Sequence, residues 1–376
     1  MIRDIAKYLL PLALCAAALS ACRKDSTEPL GEAISFRADA PEAENVATLG
    51  RQASKGESTL GEAAEAFRNA SAPETKGTKT VESNLTDEPF GVYGGYSATK
   101  GAASTTNVFD NSSALKVSYN TSTSYWEYTR TGDKPKYYWK RNQYYRFRAY
   151  HPYDANVETG GSSVDAIQVR YRIVDEQYDL LVAFATRHPA TDAEGVGRVP
   201  MNFSHALSAL RFRVAFNKTV DEGTTDVLTE FHLTGVQAAG LMKYTYKSGD
   251  YLSPVITWNA DAFDSETEFY QSTAQRTFGV YKPGSVEPVD IFGSSDADNV
   301  VFAIPQTCSS EKDGSTSVHF KTKGGGDVDH TAVLPTLTWE PGKIYTYNLL
   351  IEKSSVEVVV TIKDWNEVQS TVDINI

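Results

Sequence analysis

Hydrophobic and polar residues alternate with a period of two in several short stretches of the chain. The clearest are Tyr144-Tyr145-Arg146-Phe147-Arg148-Ala149-Tyr150, Leu210-Arg211-Phe212-Arg213-Val214-Ala215-Phe216 and Val356-Glu357-Val358-Val359-Val360-Thr361-Ile362. Successive side chains of a strand point to opposite faces, so each stretch predicts a strand with one face buried. Leu180-Leu181-Val182-Ala183-Phe184 and Val300-Val301-Phe302-Ala303-Ile304 are apolar at every position, which predicts central strands covered on both faces. The pattern fades from 39 to about 80, where Ala, Glu, Ser, Thr and Gly dominate. This stretch can bury little surface and reads as a flexible linker. Within it only Leu60, Ala63, Ala64 and Phe67 share a helical face, enough for one short helix. Ahead of the linker stands Ile34-Ser35-Phe36-Arg37-Ala38, with Ile34 and Phe36 on one side. It reads as a strand cut off from its domain by exposed chain.

Composition strengthens the β reading: 21 Tyr and 16 Phe with many Val and Thr, punctuated by 26 Gly and 15 Pro. Short strands separated by turn clusters over more than three hundred residues favour an all-β chain of two sandwiches, 33–197 and 198–376, divided near Gly195-Val196-Gly197. A faint internal echo supports two similar units. Phe90-Gly91-Val92-Tyr93 recurs as Phe278-Gly279-Val280-Tyr281, and Trp139 with Tyr145 and Phe147 recurs as Trp339 with Tyr345 and Tyr347.

The first residues change the picture from a fold to a destination. Arg3 and Lys7 precede an apolar run from Leu9 to Ala21, which ends in Leu19-Ser20-Ala21-Cys22 before the polar Arg23-Lys24-Asp25. This is a signal peptide, 1–21, with a lipobox. The run is too short for a membrane-spanning helix, which needs about 20 residues. Cys22 is therefore expected to be acylated, with 22–32 as a tether to the outer membrane. Of three cysteines, Cys15 leaves with the signal and Cys22 is blocked by lipid, so Cys308 stands alone and no intrachain disulfide can form. A hydrophobic core must hold the domains. The formal charge of −12 with no basic block argues against nucleic acid as a partner.

Enzymatic chemistry finds no support. The histidines at 151, 188, 205, 232, 319 and 330 lack the close spacing of a helical or zinc-type ligand pair and read as packed or turn residues. Asp296-Ala297-Asp298-Asn299 opens like a calcium loop but lacks its glycine and closing acid. Asp327-Val328-Asp329-His330 reads as a hairpin tip. Nucleophile-elbow, phosphate-loop and dinucleotide motifs are absent, and no catalytic residue, metal or cofactor is expected. The aromatic cluster Tyr137-Tyr138-Trp139 with Tyr144-Tyr145 suits core packing with snorkelled basic rims better than a sugar-stacking platform.

Several pieces together resemble the fimbrillin family of Bacteroidales, the type V pilins and their Mfa-like and FimA-like relatives. They are Cys22, the segment from Trp139 to Tyr153, Asp179-Leu180-Leu181-Val182-Ala183, Asn202-Phe203-Ser204-His205-Ala206-Leu207-Ser208, Ile304-Pro305-Gln306, Trp339-Glu340-Pro341-Gly342-Lys343-Ile344-Tyr345-Thr346-Tyr347 and Trp365. The resemblance implies two transthyretin-like β-sandwich domains in tandem. It also implies export as a lipoprotein, removal of an N-terminal strand after an arginine, and polymerisation by strand exchange with other fimbrial subunits. On this scheme Ile34 and Phe36 belong to the removable strand. Arg51 and Arg68 in the linker are candidate cut sites, and Arg37, within the strand, is a poorer one. Val372, Ile374 and Ile376 share one face of a terminal strand that either enters a neighbour or closes its own domain. The expected function is a structural or tip subunit of surface fimbriae that supports adhesion to a host or bacterial receptor. The alternative is a monomeric surface lipoprotein that binds glycan or host protein, with a hydrolase a third reading.

Overall fold

The computed structural model describes residues 29–39, 46–48, 52–55, 85–109, 113–128, 136–173, 177–192, 197–264, 268–293, 299–310, 314–324, 326–353 and 355–365. The described residues form an all-β fold whose only helical element is a 3-10 turn, Leu85–Asp87.

The N-terminal sheet has eight strands, and it closes on itself. Tyr144–His151 pairs on one edge with Phe90–Ser97 and on the other with Leu181–Arg187. From Leu181–Arg187 the ring continues through Val199–His205, Phe36–Asp39, Tyr125–Glu127 and Leu115–Asn120, back to Phe90–Ser97. Thr106–Asn107 hangs from this last strand outside the ring. Phe36–Asp39 is one stave of this ring, parallel to Val199–His205 and meeting Tyr125–Glu127 at the single pair Phe36 and Trp126. The inside is aromatic: Phe36, Phe90, Trp139, Tyr145 and Phe147 are all at most 2% exposed.

Alternation along Tyr144–His151 reads correctly as a strand but not as one with a wet face. Tyr145, Phe147 and Ala149 point into the ring. The opposite face is buried as well, under a three-stranded sheet made of Ile167–Arg172, Val236–Lys247 and Asp250–Asp264. Arg146 and Arg148 therefore do not snorkel to a rim. Arg146 bonds Asp165 and Ser104 at 2.8 Å. Arg148 lies between the rings of Phe184 and Tyr244, at 5.0 and 4.9 Å, and donates through Nε to the carbonyl of Val164. Burial pulls its guanidinium down to about 10. A cation held under aromatic faces recovers by the ring quadrupole only part of what it loses in hydration.

The C-terminal half places a seven-stranded sheet, led by Ser208–Phe216, Lys343–Ile351 and Ser355–Asp364, against a five-stranded sheet built on Thr225–Thr234 and Ser317–Thr322. Leu210, Phe212 and Val214 are fully buried as the alternation predicts, while Arg211 and Arg213 reach Asp290 on the other face. Val300 to Ile304 are all at 0% exposure. The outer edge of Ser355–Asp364 is taken by two short strands from the linker, Val46–Thr48 and Gln52–Lys55, both antiparallel. Edge pairing uses main-chain groups, so a segment poor in large apolar residues can still supply it. The boundary expected near 195–197 falls between Leu181–Arg187 and Val199–His205, which pair with each other in the N-terminal ring.

The tryptophan echo is a shared turn. Three residues after Trp139 and Trp339 come Asn142 and Gly342, both left-handed, at φ 55° and 69°. Asparagine and glycine are the residues that enter this region at least cost. Six residues after each tryptophan a tyrosine folds back. The Lys140 amide donates to Tyr145 Oη at 2.7 Å, and the Glu340 amide to Tyr345 Oη at 2.8 Å. The other echo is not equivalent: Phe90–Ser97 pairs with Tyr144–His151, the strand that follows its tryptophan, whereas Arg276–Gly279 pairs with Thr225–Thr234 in a different sheet.

Cys308 is fully buried, and burial pushes its thiol well up. It is expected to stay silent toward an aqueous thiol reagent in the folded protein and to react stoichiometrically once urea unfolds it. Rapid labelling of native protein would contradict this placement.

Candidate functional site

The N-terminal segment is held in three ways. Pro29–Ala33 pairs with Tyr138–Lys140. At the crossover between strands, the Ile34 amide donates to the Tyr137 carbonyl at 2.7 Å, and Tyr128 Oη donates to the Ile34 carbonyl at 2.8 Å. The Val199 amide then donates to the Ser35 carbonyl at 2.9 Å. Ile34 is 0% and Phe36 1% exposed, whereas Arg37 faces out. Phe36 meets the edges of Phe90, Phe109, Tyr128 and Phe147 at centroid distances of 5.5 to 6.4 Å. Ile34 and Phe36 plug the ring, and Ala38 packs at the margin of the same core.

The other expected assembly residues, Cys22, Arg51, Arg68, Val372, Ile374 and Ile376, lie outside the described residues, as does the expected helix at 60–67. In sequence, Arg51 falls between the two linker strands that edge Ser355–Asp364.

A polar cluster that the sequence offers only as separate motifs sits where the two halves meet. His205 Nδ1 lies 3.0 Å from Asp179 Oδ1, both side chains wholly buried. The His205 ring stacks on Trp365 at 3.7 Å with a 9° angle between planes, and Trp365 stacks on Phe302 beyond it. Asp179 and His205 flank strands of the N-terminal ring, while Trp365 follows the last strand of the C-terminal sheet. The cluster is a fastener, closed to any substrate.

The remaining histidines are packed. His232 and His319 stack across neighbouring strands at 4.9 Å, and His330 stacks on Phe320. Among the described residues no group of three or more His, Cys, Asp or Glu side chains is placed to hold a metal ion. Trp139 of the aromatic cluster is 0% exposed and Tyr145 2%, so these rings belong to the core and offer no sugar platform. Tyr144 is different. It lines a recess of about 170 Å³ together with Lys100, Arg146, Arg187, His188 and Asp192.

Several motifs that carry the family resemblance have a mechanical task. Gln306 accepts the Trp339 amide on its carbonyl and the Gln237 amide on its side chain, at 2.7 and 2.8 Å. Trp339 Nε1 donates to Tyr347 Oη at 2.7 Å, and the Trp365 amide to the Gly342 carbonyl at 2.7 Å.

No curated protein matches the chain in sequence. Several solved structures are similar to it. A candidate cell adhesion protein of Bacteroides ovatus is 15% identical, with 90% of this chain and 99% of that one covered at a TM-score of 0.48. A fimbrial protein of Bacteroides vulgatus is 16% identical, with coverages of 77% and 97% and the same score. The C-terminally truncated tip fimbrial protein Mfa3 of Porphyromonas gingivalis is 10% identical, with coverages of 77% and 98% and a score of 0.34. The sequence model of the fimbrillin-like proteins matches residues 78–365, most of the chain and both halves of the fold. The chain belongs to the fimbrillin-like family.

Proposed function

We propose that this protein is a structural or tip subunit of surface fimbriae, delivered as a lipoprotein through Cys22 and assembled by proteolysis-triggered strand exchange to support adhesion. The observation that carries this reading is the N-terminal stave. Phe36–Asp39 closes the ring, and the segment joining it to the rest of the domain is the linker bearing Arg51 and Arg68. Cutting there frees the stave. Loss of Ile34 and Phe36 then uncovers apolar side chains worth about 1.5–3 kcal/mol each in burial, beside two strands with unpaired main-chain groups. A strand with apolar residues at alternate positions fits such a gap. Val372, Ile374 and Ile376 give the C-terminal end of another copy that pattern. The repeated tryptophan turn supports two transthyretin-like sandwiches in tandem, and we place their junction after His205, at the Asp179–His205–Trp365 fastener.

An arginine-specific protease applied to the expressed chain tests this. We expect a new N-terminus at residue 52 or 69, detergent-resistant ladders on gels and filaments in micrographs, all lost when 368–376 is deleted. Cleaved protein that stays monomeric, or a deletion without effect, overturns the stalk role.

A further inference from the structure

We propose that the Tyr144 recess is a binding site for a single acidic sugar, a saccharide ring bearing a carboxylate. The proposal deepens the adhesive reading above. Four separate pieces of the N-terminal half build the walls: the turn after Phe90–Ser97, the start of Tyr144–His151, the end of Leu181–Arg187 and the turn beyond it. Leu252, from the hairpin that covers this half, closes one side. A volume of about 170 Å³ is small beside the ~300–1,000 Å³ typical of larger ligands and suits one ring.

The lining is set before any ligand arrives. Tyr144 lies over His188 with centroids 4.2 Å apart. His188 is held by its own turn: its amide donates to Asp192 Oδ2 at 2.6 Å, and Thr191 Oγ1 lies 2.7 Å from its Nδ1. The half-buried Tyr144 ring thus offers a fixed aromatic wall, which the C–H face of a pyranose can cover. Polar groups around it decide which pyranose. Lys100, Arg146 and Arg187 contribute three positive charges against two negative ones, Asp192 in the lining and Asp165 behind Arg146. Arg146 already spends its charge on Asp165 at 2.8 Å. Lys100 is exposed on its turn, and the half-buried Arg187 donates to the Thr186 and Arg198 carbonyls at 3.4 Å while keeping its charge beside the recess. On a protein whose formal charge is −12, a recess with this local excess selects an anion. An aromatic wall combined with cations and hydroxyl and carboxylate hydrogen-bonding groups favours a carboxylated sugar over a bare inorganic anion, which would gain nothing from Tyr144.

The test uses the uncleaved full chain, so its outcome is independent of whether subunits polymerise. Ligand-observed NMR and calorimetry would compare D-glucuronic acid with D-glucose and with inorganic phosphate. We expect glucuronate to bind at least tenfold more tightly than glucose or phosphate and to weaken as salt is raised. Lys100→Glu, at an exposed turn position, should abolish binding with the unfolding midpoint unchanged, and Tyr144→Leu should weaken it tenfold or more. Absence of glucuronate binding, equal binding of glucose, preference for phosphate, or full binding by the folded Lys100→Glu protein would each overturn the proposal.

Discussion

Phe36→Ala is expected to lower the unfolding free energy of the uncleaved chain by about 3–5 kcal/mol, the range for emptying a large aromatic site in a packed core. The expectation is at the top of that range because Phe36 is central. It touches four rings edge-on, and each such pair adds about 0.5–1.5 kcal/mol beyond area alone. Its neighbour Arg37, on the outward face, should cost less than about 1 kcal/mol when changed to alanine, as exposed charges do. Urea unfolding of the three proteins reads the difference directly. A Phe36→Ala loss no larger than that of Arg37→Ala would mean that the N-terminal stave is not seated in the ring. If assembly proceeds by the proposed route, the same substitution is silent in filaments, since residue 36 has left with the cleaved segment. A mutation that is severe in the precursor and absent from the product separates this mechanism from simple folding of a monomer.

What could be read from the sequence follows from how far apart the partners lie. Period-two patterns and apolar runs located the strands at 144–150, 210–216 and 356–362 because a strand's two faces are a local property. The covering of the second face is not local. Arg146 and Arg148 look like rim residues until the hairpin of Val236–Lys247 and Asp250–Asp264, about a hundred residues away, is laid over them. Val199–His205 pairs on one edge with Leu181–Arg187, close in sequence, and on the other with Phe36–Asp39, over 150 residues distant, and the distant pairing leaves no trace in the pattern of either strand. The linker strands escaped for another reason. Main-chain pairing at an edge leaves no hydrophobic signature, so Val46–Thr48 and Gln52–Lys55 look like linker in composition. The tryptophan echo was visible as spacing, but its meaning lay in φ at Asn142 and Gly342. Sequence flagged Tyr144 only as part of an aromatic cluster; what singles it out is the turn at His188 and Asp192, forty residues on.

Acid should destabilise this fold well before its carboxylates titrate. Burial pulls His151 down to about 4, against the weaker opposing pull of Asp179, and pulls His232 down to about 3, aided by His319 and Lys321. Glu268 Oε1 lies 3.3 Å from His232 Nε2 and does not offset the loss of water. Unfolded histidine titrates near 6.5. Below that pH the unfolded chain binds protons that the folded chain refuses, so stability must rise with pH across the window. The contribution is complete above about 6.5 and is lost as the pH falls toward 4, with no further loss from His151 once the folded form is protonated too. At 1.36 kcal/mol per unit, His151 alone accounts for a loss on the order of 3 kcal/mol. Unfolding free energies measured from pH 7 to 4.5 should therefore fall steeply in the natural protein and more gently in His151→Leu, and more gently still with His232→Gln added. The slope is the informative quantity, because any fixed cost of repacking leucine shifts the whole curve without tilting it. Identical slopes in the natural and His151→Leu proteins would show that the fold does not hold this imidazole neutral.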